Sequence, residues 1–354
     1  MAESRGDPSG ENWKANVRLL LLAVALAVAV VILWQLKHLL LLMFGSVLVA
    51  VLLRGLADLI GAYTPLGPRV SLTAAAILIL LFIAGFVALL GSHIQMQMAE
   101  LFQRLPELIE PVERWLGMSD LEEWIEKRAQ AALDQASLVT EIAGYSSLAA
   151  EFAANILLVL VAGIYLAAHP RLYRDGILML FPEPAREEAD ETLAALGRAL
   201  RLWLLGQLLA MFLVGAVIAT GLWLLGVPSA LALGLIAGML EFVPFLGPVL
   251  AAFPGIAVGL GEGANTALWV AALYLVVQQG EGFLITPLVQ QGTVDLPPAM
   301  TLFAIVAFGV LFGPMGILFA TPLAVVAFVL VKKLWVRDTL HEETELPGET
   351  ASEA

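Results

Sequence analysis

Long apolar runs separated by short polar connections dominate the pattern of this chain. Residues 17–36, 39–60, 70–91, 148–168 and 202–226 each reach the ~20 residues that an α-helix needs to cross a hydrocarbon core of about 30 Å. Runs such as the first lack the period-two alternation of a membrane β-barrel strand. The pattern therefore predicts an all-α, polytopic integral membrane protein.

The apolar stretch of residues 231–260 carries a break near its middle. Two prolines stand there with a carboxylate, an aromatic residue and a glycine: Glu241, Pro244, Phe245, Gly247 and Pro248. Because proline lacks a backbone donor and clashes with the preceding turn, one uninterrupted helix is disfavoured. The pieces on either side measure roughly 15 and 18 Å as helices, each about half of the core. We expect a hairpin-like pair of half-helices, since broken backbone at this depth persists only where protein or a water-filled cavity satisfies it.

A second interruption divides residues 299–331 at Gly313 and Pro314. As one straight helix this segment would be about 50 Å long, which is too long for a single crossing. A pair of Gly/Pro-interrupted apolar segments is a strong sequence indication of a transporter binding site, although two ordinary kinked helices would give the same pattern. With the unbroken runs and residues 267–287, the pattern gives about eight membrane segments.

Two polar segments and the distribution of Lys and Arg define the remaining organisation. Residues 95–147 carry apolar side chains at helical spacing and a capping box at Ser119, which indicates amphipathic helices on the membrane, on a partner subunit, or as a lid. Basic residues concentrate in the loops and tails that the positive-inside rule assigns to the cytoplasm. The predicted order is a disordered cytoplasmic N-terminus (1–16), three membrane spans (17–93), an external amphipathic helical segment (94–147), a fourth span (148–168), a cytoplasmic helical segment (169–201), a transport core (202–331) and a cytoplasmic acidic tail (332–354).

Composition narrows the class of protein further. A chain of 354 residues that is 60% hydrophobic and 14% charged is no ordinary soluble protein. The net charge of −13 argues against nucleic acid as a partner. The absence of Cys excludes disulfides, thiolate metal sites and Cys nucleophiles. The first apolar run is too long for a secretory signal peptide and has no evident cleavage site.

The transport core concentrates its few charges. From residue 202 to residue 331 there is no Lys or Arg, and Glu241 is the one carboxylate within 231–260. An intramembrane carboxylate costs roughly 2.5–3.5 kcal/mol on insertion scales and marks a functional candidate. Burial without a cation disfavours its charged form. The alternative is a structural Glu that is hydrogen-bonded to backbone at the break. Gln278 and Glu281, three residues apart, can share a helix face.

Sequence signals for catalysis are missing. The chain has no Gly-x-Ser-x-Gly elbow, His-Glu-x-x-His zinc motif or phosphate-binding loop. Its four His residues (38, 93, 169 and 341) lie outside the predicted spans. We therefore expect neither an enzyme nor a metal or other cofactor, and transport that is secondary or facilitated. A membrane scaffold that transports nothing is the alternative from another class, but it has little use for a buried carboxylate.

A set of motifs in the second half of the chain resembles one known family. The motifs, in order, are Gly206-Gln207, Leu225-Gly226-Val227-Pro228, Glu241-Phe242-Val243-Pro244-Phe245-Leu246-Gly247-Pro248, Gln278-Gln279 with Glu281, Thr286-Pro287, Pro298, and Phe312-Gly313-Pro314-Met315-Gly316 with Thr321-Pro322. This order is similar to that of the autoinducer-2 exporter family of bacterial inner-membrane permease-like proteins. The resemblance is dense over residues 165–331. It implies a homo-oligomer with mobile hairpins, located in the bacterial inner membrane.

The resemblance leaves two kinds of cargo open, because members are linked to export of the furanone autoinducer-2 or to sodium/proton antiport. A polar, uncharged furanone would be held by side-chain amides and exposed backbone at the breaks. A monovalent cation would need an ionised carboxylate and carbonyls freed by the prolines. Both readings use one candidate set: Glu241, Gln207, Gln278, Gln279, Glu281, Pro244, Phe245, Gly247, Pro248, Thr286, Pro287, Gly313 and Pro314.

Overall fold

The computed structural model describes residues 20–21, 23–28, 31–85, 140–281 and 296–348. Within these ranges the chain forms helices and short connections and contains no strand, which confirms the all-α prediction. The helices are α1 (Lys37–Tyr63), α2 (Pro68–Gly85), α3 (Thr140–Ala168), α4 (Pro170–Leu178), α5 (Arg186–Leu224), α6 (Ala230–Leu240), α7 (Leu246–Gly261), α8 (Ala264–Gly280), α9 (Pro298–Phe312) and α10 (Pro314–Leu330). A 3₁₀ turn, Glu183–Ala185, precedes α5, and a π-helical turn, Val331–Arg337, extends α10.

Several of these helices meet the requirements of a membrane span. Among the described residues, Lys37–Tyr63, Pro68–Gly85, Glu183–Leu224 and Pro314–Arg337 are long and apolar enough to cross a bilayer. The end of α3 together with α4 gives a fifth candidate, although the two are bent by 87°. Shorter apolar helices, including α6, α7 and α9, accompany them. This arrangement is that of a multi-pass membrane protein. Most of the predicted external segment, 94–147, lies outside the described residues.

Helix α5 runs across one predicted boundary. A cytoplasmic helical segment is predicted for 169–201 and a transport core from 202, and one continuous helix of 39 residues joins the two. At 1.5 Å per residue it is about 58 Å long, nearly twice the hydrocarbon thickness. Residues near the expected boundary, such as Arg198 and Arg201, are good helix formers, so the change from polar to apolar sequence does not end the helix.

The two predicted breaks are present. Residues 241–245 separate α6 from α7, and Gly313, with φ 69°, separates α9 from α10. In both cases the second helix packs back onto the first. A Cβ atom on Gly247 would stand 1.9 Å from the carbonyl oxygen of Leu240, and one on Gly316 would stand 1.9 Å from that of Phe308. Glycine at these positions therefore lets each segment fold into a tight hairpin.

Helix α5 organises the packing of the two hairpins. Its first half shares a core cluster with α9 and α10, in which Ala199 and Val329 are fully buried. Its second half shares another cluster with α6, α7 and α8. Here the backbones approach closely, since a Cβ atom on Gly238 would lie 2.6 Å from the carbonyl oxygen of Met211. Such small-residue contacts are typical of helices packed within a membrane. A third cluster joins α1, α2 and α3.

Candidate functional site

Glu241 lies where α6 ends and the first break begins. The residue is 1% exposed. Its backbone carbonyl accepts a hydrogen bond of 2.7 Å from the side-chain amide of Gln207 on α5. Because a carbonyl at a helix end has no partner within its own helix, this bond satisfies a group that the break would otherwise leave unpaired. Beside it, Phe242 packs edge-on against Trp203, with ring centroids 5.8 Å apart. The carboxylate is thus held at a fixed place in the hairpin.

A second carboxylate faces Glu241 from the end of α8. Glu241, which is buried, and Glu281, which is half-buried, line one small cavity. Nε2 of Gln278 stands 3.5 Å from Oε2 of Glu281, at the outer limit of a hydrogen bond. Two like charges placed close together oppose joint ionisation, and two carboxyl groups can hydrogen-bond only if one of them carries a proton. The arrangement therefore favours a pair in which one carboxyl group is protonated.

A small cavity opens beside the carboxyl pair. Its volume is about 10 Å³, close to the space that one water molecule needs. Two buried polar atoms at this cavity, Oε2 of Glu241 and Oη of Tyr274, have no hydrogen-bond partner among the described residues. An unpaired buried polar atom costs about 1–3 kcal/mol, so the cavity favours a small polar or charged guest. It is lined by Val214, Ile218, Ala237, Glu241, Pro248, Ala251, Tyr274, Val277, Gln278 and Glu281.

Tyr274 is the residue that sequence reasoning missed. It is 7% exposed, and its ring fits only because Gly255 of α7 has no side chain, since a Cβ atom there would come within 2.5 Å of the ring. The signal was present in the sequence: Tyr274, Gln278 and Glu281 are spaced i, i+4 and i+7 and so lie on one helix face. The chain thus brings a hydroxyl, an amide and two carboxyls to one point.

The remaining candidates fall into other places. Pro244 lies in the first break, half-buried, and Gly247 supports the hairpin as described above. Phe245 and Gln279 are exposed and do not line the cavity. Gly313 and Pro314 form the second break and are not part of this cavity either. Thr286 and Pro287 lie outside the described residues.

The transport core supplies no basic residue to compensate charge in the site. The sequence has no Lys or Arg from residue 202 to residue 331. Among the described residues, no three His, Asp or Glu side chains gather in a way that could hold a metal ion. The pair therefore offers two carboxyl groups, one amide and one hydroxyl, which suits a proton or a monovalent cation better than a divalent metal.

Apolar spanning helices, two hairpins broken at glycine and proline, and a carboxyl pair between the first hairpin and the end of α8 define a multi-pass membrane protein with a polar site in its core. Residues 20–335 match the family described as AI-2E family transporter. The chain belongs to this family, and the resemblance noted from its motifs is confirmed. A membrane transporter is therefore the class of protein to which it is assigned.

Individual relatives carry names of the same kind. The candidate transport protein MT0215 of Mycobacterium tuberculosis is 32% identical over 321 residues, which cover 84% of each chain. The candidate transport protein YueF of Bacillus subtilis is 27% identical over 305 residues, which cover 78% of this chain and 82% of YueF. The candidate permease PerM of Escherichia coli is 31% identical over 121 residues, or 34% of each chain.

Proposed function

We propose that this protein is a secondary transporter that exchanges a proton for a monovalent cation at the Glu241–Glu281 pair. One observation carries the proposal: the buried carboxyl of Glu241 and the half-buried carboxyl of Glu281 line one small cavity, in a stretch of sequence (202–331) that contains no Lys or Arg. Loss of the proton leaves a negative charge that only a cation can compensate at low cost. Proton and cation would then compete for one site, which is the basis of antiport.

The size and lining of the cavity favour a small cation over an organic solute. A cavity of about 10 Å³ admits one water-sized guest, whereas pockets for organic ligands occupy roughly 300–1,000 Å³. The amide of Gln207, expected to hold a furanone, is engaged by the carbonyl of Glu241. Oε2 of Glu241 and Oη of Tyr274 are left to coordinate a cation.

Export of an autoinducer-2-like furanone is the second candidate. The description of the matching family supports it. In that case the hairpins must separate to enlarge the cavity, and a protonated Glu241 would donate a hydrogen bond to the neutral solute. A scaffold without transport activity is the third candidate, and it predicts no flux of any solute.

Flux in proteoliposomes that contain only this protein separates these candidates. Cation/proton exchange predicts Na⁺ or K⁺ uptake that depends on a pH gradient and is lost in both Glu241→Gln and Glu241→Leu. Glu262→Gln is the matched control, because Glu262 is an exposed carboxylate in the same region of the chain. Furanone flux that persists in Glu241→Gln but not in Glu241→Leu would support the second candidate. Wild-type cation flux and pH dependence in both Glu241 variants would refute the proposed role.

The proposed setting is the bacterial inner membrane, with both termini in the cytoplasm and residues 94–147 outside. The distribution of Lys and Arg in the loops supports this orientation. Because the chain has no native Cys, a single Cys at Ser137 can be labelled selectively. We expect labelling from the external side, and labelling only from the cytoplasmic side would contradict the orientation.

We also propose a homo-oligomer, which agrees with the amphipathic segment predicted at 94–147. Mass measurement in several mild detergents tests this proposal. A mass of more than one chain in them is expected, and monomers in all of them would argue against it.

A further inference from the structure

An apolar groove lies far from the carboxyl pair, where α1, the end of α3, α4 and the first half of α5 meet. Its volume is about 390 Å³, within the range of roughly 300–1,000 Å³ found for organic ligands. Side chains such as Val47, Val51, Leu166 and Ile177 form most of its wall. Nothing in the proposed transport mechanism uses this groove.

Three arginines and no carboxylate line the groove, in a protein whose net charge is −13. Arg54 donates its Nε to the carbonyl oxygen of Ala167 at 2.8 Å, a neutral partner, and no ion pair joins it to a carboxylate in the part of the chain that the structure describes. Arg174 pairs with Asp190, and Arg201 pairs with Asp58 at 2.9 Å. The groove therefore presents the charge of Arg54 and the ion-paired guanidinium groups of Arg174 and Arg201 beside an apolar wall.

The bend between α3 and α4 is consistent with a position of this charge near the surface of a bilayer. Helix α4 is bent by 87° from the end of α3, as expected of a helix that lies along the membrane plane while α3 crosses it. Leu172 on α4 and Leu180 just beyond its end are 67% and 83% exposed, which suits side chains that enter the acyl region. Tyr173, which also lines the groove, is a residue type enriched at this depth.

We propose that this groove binds an anionic phospholipid, with an acyl chain along the apolar wall and the phosphate beside Arg54 and Arg174. Guanidinium groups bind phosphate through paired donors, and basic pockets between membrane helices on the cytoplasmic side are suited to anionic headgroups. The apolar wall selects a lipid over a free phosphate. Because the groove joins α3 and α4 to α5, the lipid would tie the peripheral helices to the helix that carries both hairpins.

Native mass spectrometry of the full chain, purified and mixed with phosphatidylglycerol or phosphatidylcholine, tests the proposal. We expect bound phosphatidylglycerol in excess of phosphatidylcholine. Arg54→Gln should lower its occupancy about fivefold, the effect of one basic residue at an anionic surface. Arg171→Gln is the matched control, since Arg171 is exposed on α4 and does not line the groove.

A second variant tests the apolar wall without removing charge. A Cβ atom on Gly197, which lines the groove, would meet nothing within 4 Å. Gly197→Leu should therefore fold and fill the groove, and lower lipid occupancy at least as much as Arg54→Gln. Gly176→Leu is its control, because Gly176 also has open space around it but lies outside the groove.

Four results would overturn the proposal. The first is equal binding of the two lipids. The second is phosphatidylglycerol occupancy that is unchanged in both Arg54→Gln and Gly197→Leu. The third is complete displacement of phosphatidylglycerol by inorganic phosphate at millimolar concentration. The fourth is loss of oligomers in Gly197→Leu with lipid occupancy unchanged, which would assign the groove to a neighbouring copy of the chain.

Discussion

Replacement of Gly247 by alanine should disrupt the hairpin that carries Glu241. The new Cβ atom would stand 1.9 Å from the carbonyl oxygen of Leu240, whereas ordinary contact begins at 3.4 Å. The start of α7 must therefore move by about 1.5 Å (3.4 − 1.9) away from the end of α6. The obstacle is backbone and cannot rotate away, because the nitrogen of Glu241 also lies 3.0 Å from the same Cβ position.

The expected cost follows from two opposing effects. Overpacking a tight contact costs about 1–3 kcal/mol, and a backbone obstacle places this case at the upper end. Alanine recovers about 0.5–1 kcal/mol because it restricts the unfolded chain more than glycine does. We therefore expect a net loss of about 2 kcal/mol in the free energy of unfolding.

Denaturant unfolding in detergent, followed by the fluorescence of the 8 tryptophans, measures this difference. Gly261→Ala is the matched control, since it lies on the same helix and its Cβ atom would meet nothing within 4 Å. Its midpoint should equal or slightly exceed that of the wild type. Equal midpoints for Gly247→Ala and Gly261→Ala would refute the reasoning about the hairpin.

Three further predictions concern polar contacts. The side chain of Lys333 is 8% exposed and donates hydrogen bonds to Glu191 of α5 at 2.9 Å and to Asp338 at 3.1 Å. Lys333→Met should therefore lower the free energy of unfolding by about 1.5–3 kcal/mol in the same assay. An unchanged midpoint would show that these bonds do not hold the end of α10. Gln207→Leu removes the 2.7 Å hydrogen bond to the carbonyl at the end of α6 and should lower the free energy of unfolding by about 1 kcal/mol. A variant as stable as the wild type would contradict this prediction. Tyr274→Phe removes a buried hydroxyl that has no partner among the described residues, so it should raise the midpoint and reduce cation flux. Full flux would exclude the hydroxyl from the mechanism.

The main features of the fold could be predicted because they depend on local physics. Apolar length predicts the spanning helices, and Pro244 and Gly313 mark the two hairpins because no other residues end a helix as effectively in a membrane. The continuity of the helix across residue 201 was harder to predict. A change from charged to apolar side chains alters the surroundings of a helix, but the backbone hydrogen bonds continue, so α5 runs on through Arg201.

Of the predicted site residues, Glu241, Pro248, Gln278 and Glu281 line the cavity, and their arrangement in space could be predicted only in part. Glu241 stood out by charge alone, but its proximity to Glu281 depends on how α8 packs against α6 and α7, which spacing along the chain does not reveal. Gln207 was expected to hold cargo, whereas it satisfies a backbone carbonyl that exists only because the helix ends there. Tyr274 was overlooked because a buried tyrosine looks like core until its hydroxyl is found without a partner.

Proton release on cation binding tests the proposed exchange most directly. Purified protein in weakly buffered detergent solution receives NaCl or KCl, with choline chloride as the control for ionic strength, while a pH indicator counts the protons released per chain. Exchange at the Glu241–Glu281 pair predicts release of up to about one proton per chain with Na⁺ or K⁺. It predicts no release in Glu241→Gln and unchanged release in Glu262→Gln. No cation-dependent proton release from the wild type, or equal release from Glu241→Gln, would contradict proton/cation exchange at this pair.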